Sequence, residues 1–441
     1  MNGMFRYGKG IAAALTLSAV AFVLKAAPQW LFPYVDPLPG HGEAGMLIDD
    51  YLTAPRASPP VREVLDAATT WKVAVVTNRP MVQPDEPLPF QATKPLSEQV
   101  VDAIYRSADT HFQFCDVVIP NNRRRGTCPV QNDKQPGIAF RHIEQSVSET
   151  FFPQLETLRQ QSGSQDILIF IHGFNVRLPE AVARAAQVAE DMPFAGPVVV
   201  FSWNSQAKTL AYQQDEHSAE RHFWSLAELL HGLRTNLAPS CKLHVVAHSM
   251  GNRVTLRAIN ALTGTIDPVG QPTDMFVRAR LQSAANVSDV FAAIDSTRTS
   301  IVNGTHEIPQ RFPIWASWRE RNVSTAPLAN LILAAPDVDA VEFRQLVGDI
   351  KQVCSGITVY ASESDLALEA SRRVHGGRYR AGDARANLDI EGITVIRVSV
   401  PGSNDLLGHS YYGSHPQVLD QLHQLTQPLR RITLGISAQR Q

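Results

Sequence analysis

Short, largely apolar runs alternate along this chain with longer amphipathic stretches, the pattern of buried parallel strands joined by helical crossovers. The strand-like runs are Asp166 to Ile171, Val198 to Phe201, Leu243 to Val246, Leu331 to Ala334, Ile357 to Ala361 and Ile393 to Val398. Between them, Pro179 to Met192, Ser218 to Leu237 and Asn252 to Leu262 carry helical spacing, with Phe223, Leu226, Leu230, Leu233 and Leu237 marking one buried stripe. This alternation predicts an α/β fold, a doubly wound, mostly parallel sheet of about eight strands with helices on both faces. The expected domain covers residues 66–430, with Thr77 to about Ser148 adding peripheral strands and a loop-rich flank.

Two segments break the rhythm. About 65 residues separate the helix after Leu243–Val246 from the Leu331 run, far more than an ordinary connection needs. Residues 263–328, which include Phe276, Phe291, Phe312, Trp315 and Trp318, are therefore expected to form a cap insertion. At the amino end, Arg6 and Lys9 precede an uncharged stretch from Gly10 to Leu24, and Ala19-Val20-Ala21 resembles a signal-peptidase site. Residues 1–25 are thus expected to be a signal peptide, or an N-terminal membrane anchor if uncleaved, and the protein to be exported or held on the cytoplasmic membrane. Residues 26–65, rich in Pro, Gly and Ala, read as a loosely structured lead-in.

The candidate chemistry sits at the ends of the apolar runs. Ala247-His248-Ser249-Met250-Gly251 follows one run and opens a helix, so small residues flank a serine at a strand-to-helix turn. This is the sequence form of a nucleophile elbow, G-x-S-x-G with Ala at the first position, which presents the hydroxyl alone at the strand end. The run ending at Ile171 passes into His172-Gly173-Phe174-Asn175, where an acyl-transfer site keeps donors for a developing oxyanion. In that geometry the donors are the N–H groups of Phe174 and Met250.

Together with Thr77-Asn78-Arg79, Val117-Val118-Ile119-Pro120 and Ala335-Pro336-Asp337-Val338-Asp339, these motifs resemble a bacterial branch of the α/β-hydrolase superfamily, from about Trp71 to about Leu422. Members of that branch are serine esterase-like or lipase-like hydrolases of undefined substrate, so the resemblance implies fold and chemistry more than substrate. It also implies the chain order nucleophile, acid, histidine. Asp365, in Ser362-Glu363-Ser364-Asp365 after the seventh core strand, is then the acid. His409, in Gly408-His409-Ser410-Tyr411 after the eighth, is the base. Asp337 or Asp339 compete as acid and His415 or His375 as base, whereas His172 and His248 are expected to brace loop backbone rather than titrate. Trp203, Tyr212 and Asp215 are candidates for a pocket wall and entrance, or for ordinary packing.

The resulting expectation is a serine hydrolase that cleaves a small or lipid-like carboxylic ester through a Ser249 acyl-enzyme, losing activity below about pH 6.5 as His409 protonates. A thioesterase or amidase would use the same residues, and a non-catalytic, membrane-tethered α/β-hydrolase-like binding protein is the alternative from another class. Composition adds exclusions. The 441 residues carry a formal net charge of −2, which offers nothing to attract nucleic acid. Arg123-Arg124-Arg125 reads as a solvated loop. The 4 cysteines have no zinc-site spacing, and no metal or organic cofactor is expected. In an oxidising compartment, Cys115 and Cys128 are candidates to close a short disulfide loop.

Overall fold

Each apolar run becomes a strand. A computed structural model describes residues 61–65, 67–79, 110–131, 137–263, 328–351, 353–399 and 407–427. Its strands are β1 (Arg62–Val64), β2 (Ala68–Thr77), β3 (His111–Pro120), β4 (Ala139–Ser146), β5 (Asp166–Ile171), β6 (Val198–Ser202), β7 (Lys242–His248), β8 (Leu328–Ala334), β9 (Cys354–Ala361) and β10 (Thr394–Arg397). They form one 10-stranded sheet in the order β10-β9-β8-β7-β5-β6-β2-β3-β4, with β1 on β2. From β10 to β2 every neighbouring pair is parallel. The pairings β2–β3, β3–β4 and β1–β2 are antiparallel.

The α/β-hydrolase type of fold is therefore present, with more strands than the count of apolar runs suggested. The extra strands form the antiparallel flank, where half-exposed residues blur the apolar signal. β1 also corrects the lead-in, since residues 62–64 pair with Thr69 to Trp71. Three residues are too few for any periodicity to register.

The helices are α1 (Ser148–Ser162), α2 (Leu178–Asp191), α3 (Tyr212–Arg221), α4 (Phe223–Asn236), α5 (Gly251–Thr263), α6 (Ala340–Ile350), α7 (Leu366–Val374), α8 (Tyr411–Ser414) and α9 (Pro416–Thr426). Helices α1, α3, α4, α5 and α6 form one mutually packed layer, and α2, α8 and α9 another. The stretch from Ser218 to Leu237 is two helices rather than one, because His222 leaves helical geometry at φ −95° and ψ 7°. The central strands are buried almost throughout, as expected where helices cover both faces.

Two expectations about the flank are corrected. Arg123 turns inward, and both it and Asp191 are nearly buried in an ion pair, while Arg125 reaches Asp420 at 2.7 Å. The Cys115–Cys128 bridge is absent, and both residues are free thiols. Cys115 lies mid-strand opposite Val73 and Ile143, with its side chain committed to the core. Cys128 lies beyond the strand's end, and burial pushes both thiols up, that of Cys115 to about 12. The expected leader at 1–25 and the cap residues 264–327 lie outside the described residues. Among the described residues, no helix is long and apolar enough to cross a membrane, and no cluster of His, Cys, Asp and Glu is arranged to hold a metal ion.

Candidate active site

Strand order reverses at β5, which runs between β6 on one side and β7 on the other. Open parallel sheets form a crevice at the carboxyl ends of strands at such a switch point. The β5–β7 register sets Ile171 opposite Ala247, so His172-Gly173 and His248-Ser249 leave the sheet side by side.

Ser249 has φ 52°, a left-handed conformation rare for a residue with a Cβ. Contact between the two exits explains the adjacent glycines. A Cβ on Gly251 would stand 2.3 Å from the carbonyl oxygen of His172, and one on Gly173 would stand 2.8 Å from Ser249 Cβ. The elbow and the loop after β5 are thus packed backbone against backbone. Met250 N–H precedes the first turn of α5, where backbone donors lack an intrahelical acceptor.

Asp365 and His409 reach this corner from β9 and from the segment after β10. Asp365 caps α7, its Oδ1 accepting the N–H of Leu368 at 3.0 Å. Its other oxygen, Oδ2, accepts the Nδ1–H of His409 at 2.7 Å. The two loops are also joined by Leu366 N–H donating to the carbonyl of Leu407 at 2.9 Å. His248, next to Ser249 in the chain, donates Nε2–H to the carbonyl of His409 at 3.0 Å, and the two rings lie 4.7 Å apart. Because His409 donates from Nδ1 to Asp365, its lone pair stays on Nε2, the state a general base requires.

Comparison with protein families matches residues 148–426 to one described as an alpha/beta hydrolase of unknown function (DUF900). The chain belongs to that family. No curated protein and no solved structure matches it. The DUF900 match runs from α1 to the end of α9, so it takes in His172, Ser249, Asp365 and His409 and leaves β2 and Arg79 outside.

The competing carboxylates and histidines have other partners in this DUF900 chain. Asp337 accepts from Arg380 Nε at 2.8 Å, Ser371 Oγ at 2.6 Å and Tyr212 OH at 2.6 Å. Burial opposes its charge, but Arg380, Arg253, Ser371 and Tyr212 outweigh that and hold the carboxyl well below its usual range. Asp339 accepts the N–H of Val341 at the start of α6. His375 meets Glu216 at 2.9 Å, which raises its pKa. His415 stands at the start of α9 as its N-cap. Burial, followed by the neighbouring His409, keeps His248 neutral well below the usual histidine value.

Trp203 is fully buried, stacks on His172 at 5.1 Å and donates its indole N–H to the His172 carbonyl at 2.7 Å, so it packs rather than lining an opening. Tyr212 sets its ring edge against Phe174 at 5.3 Å, and buried Asp215 accepts the N–H of Gln206. Sequence reasoning named Arg79 only within a motif. Folded, it donates to Ser202 Oγ and to the carbonyls of Ser205 and Val176, bridging the loops after β5 and β6.

Proposed function

We propose that this α/β hydrolase is a serine hydrolase that cleaves a carboxylic ester. Ser249 is the nucleophile, His409 takes its proton and returns it to the leaving alcohol, and Asp365 orients His409 and stabilises the imidazolium. The N–H groups of Phe174 and Met250 receive the oxyanion, and water then resolves the acyl-enzyme. The observation that carries this reading is the 2.7 Å bond from His409 Nδ1 to a carboxylate, with the His409 carbonyl held by His248, the neighbour of a serine in left-handed backbone. The substrate class proposed is a small or lipid-like ester, met outside the cytoplasm or at the membrane to which residues 1–25 direct the chain.

The test is labelling with a fluorophosphonate, with the modified residue mapped by peptide mass, alongside Ser249→Ala. Stoichiometric label at Ser249 that is lost in the variant supports the reading. A folded wild-type protein that takes no label overturns it and brings the binding-protein alternative forward. Matched ester, thioester and amide substrates then establish the leaving group.

A further inference from the structure

His172 touches the proposed oxyanion loop through its own ring. Its Nδ1 lies 2.8 Å from the carbonyl oxygen of Gly173. A carbonyl only accepts, so Nδ1 carries the proton and Nε2 the lone pair. Ser202 Oγ stands 3.1 Å from Nε2, and Arg79 Nη2 3.3 Å. Ser202 Oγ accepts from Arg79 Nε at 2.9 Å, which leaves the hydroxyl hydrogen for His172. The hydrogen bonds therefore run in one direction, from the guanidinium through Ser202 and the imidazole to Gly173 O.

The end point of this relay matters chemically. Gly173 C=O and Phe174 N–H are opposite ends of one planar peptide unit. Holding the oxygen fixes where the N–H points, and a hydrogen bond at the oxygen polarises the unit so that its N–H donates more strongly. The preceding peptide is held as well, by Trp203 Nε1–H on the His172 carbonyl at 2.7 Å. Arg79 is anchored at its far end, Nη1 to Ser205 O at 2.8 Å and Nη2 to Val176 O at 2.7 Å. Burial first, and then the Arg79 charge, pull the His172 pKa down to about 3, so the ring stays neutral through the neutral range, and the bond to Gly173 O selects its tautomer.

We propose that Arg79, acting through Ser202 and His172, is a positioning residue that aims the Gly173–Phe174 peptide at the oxyanion. The inference rests on the serine-hydrolase reading. It places in the site a side chain from β2's exit, beyond the region that matches the family.

The experiment uses the full chain with ¹⁵N-labelled histidine and p-nitrophenyl acetate as probe substrate, in wild type, Arg79→Met, Arg79→Ala and Ser202→Ala. Ser202→Ala removes the relayed bond while leaving the Arg79 bonds to Val176 and Ser205 and the direct 3.3 Å approach of Nη2 to His172 Nε2, so it separates the Ser202 step from simple bracing. Expected are a pure Nδ1–H tautomer for His172 in wild type, a measurable Nε2–H fraction in Ser202→Ala, where Arg79 Nη2 still faces Nε2, and a larger one in Arg79→Met, where the freed Ser202 hydroxyl can accept from Nε2. In Arg79→Met the His172 titration also moves to higher pH. kcat is expected to fall about tenfold in both, less than the loss of a whole oxyanion donor, with KM nearly unchanged. Added guanidinium at millimolar concentration is expected to restore part of kcat in Arg79→Ala.

An active wild type whose variants keep both tautomer and kcat overturns the proposal and leaves the serine-hydrolase reading intact. A kcat loss confined to variants with lowered unfolding temperature, without tautomer change or rescue, also overturns it. Wild-type protein that neither hydrolyses the ester nor takes a fluorophosphonate removes the underlying reading, and the positioning role of Arg79 with it.

Discussion

Asp365 Oδ2 accepts the Nδ1–H of His409 at 2.7 Å while Asp365 Oδ1 caps the helix that follows, so one carboxylate is locked by the backbone and locks the imidazole in turn. Asp365→Asn keeps an oxygen for the cap but offers His409 an amide, which favours the wrong tautomer. The expected loss in kcat is about 10³-fold to 10⁴-fold with little change in unfolding temperature. Steady-state hydrolysis of p-nitrophenyl acetate, beside a thermal melt, checks both halves.

Asp337 predicts the opposite split. Its side chain and that of Arg380 are almost completely buried, 3% and 1% exposed, and meet at 2.8 Å. Breaking a buried pair by removing one partner costs about 3–5 kcal/mol, so Arg380→Met is expected to destabilise the protein by that order in denaturant titration. Asp337→Asn is expected to resemble it, with activity lost in step with folded protein. A well-folded Asp337→Asn protein with kcat down a thousandfold would move the acid assignment from Asp365 to Asp337.

The left-handed Ser249 makes a prediction about stability. Ser249→Ala and Ser249→Gly both remove the nucleophile and are expected to take no fluorophosphonate label. Only glycine relieves the clash of Cβ with its own backbone at φ 52°, so Ser249→Gly is expected to exceed Ser249→Ala in stability by about 1 kcal/mol. Equal unfolding midpoints in denaturant would mean the elbow stores no such strain.

Gly173 tests the packing of the two exits. A methyl there would stand 2.8 Å from Ser249 Cβ and 3.0 Å from His248 Nδ1. Gly173→Ala is expected to cost about 1–3 kcal/mol and to slow labelling of Ser249 strongly, as the elbow and loop are forced apart. Calorimetry and labelling kinetics measure the two effects.

Acid should unfold this protein earlier than its carboxylates alone would dictate. His172 and His248 are buried and neutral, with folded pKa values below the ordinary histidine value, that of His172 at about 3. Below about pH 6.5 the unfolded chain binds protons that the folded chain does not, so stability falls as pH falls, approaching about 1.4 kcal/mol per pH unit for each histidine. For His172 this dependence continues down to its folded value of about 3. His375 has the opposite sign. Its pKa is raised by Glu216, so its contribution is present below the ordinary histidine value and is lost as pH rises through the higher folded value. Urea midpoints of wild type and His375→Gln between pH 4 and pH 9 check both directions.

The alternation of apolar runs and amphipathic stretches was enough to read the parallel core, because burial on both faces of a strand leaves a local mark in composition. Ser249, Asp365 and His409 could be named as candidates because each follows a recognisable strand and the family resemblance supplies their order. The flank was less legible. β1 is three residues long, and Arg123 looks solvated until Asp191 is brought beside it.

The sheet order decided the rest. Arg79 and His172 are separated by 93 residues, and Tyr212 and Asp337 by 125, yet each pair is in contact. Such contacts arise where strands distant in sequence end at the same edge. No local pattern of hydrophobic and polar residues encodes them, since a hydrogen bond depends on where two groups come to rest and a hydrophobic period only on how one segment is buried.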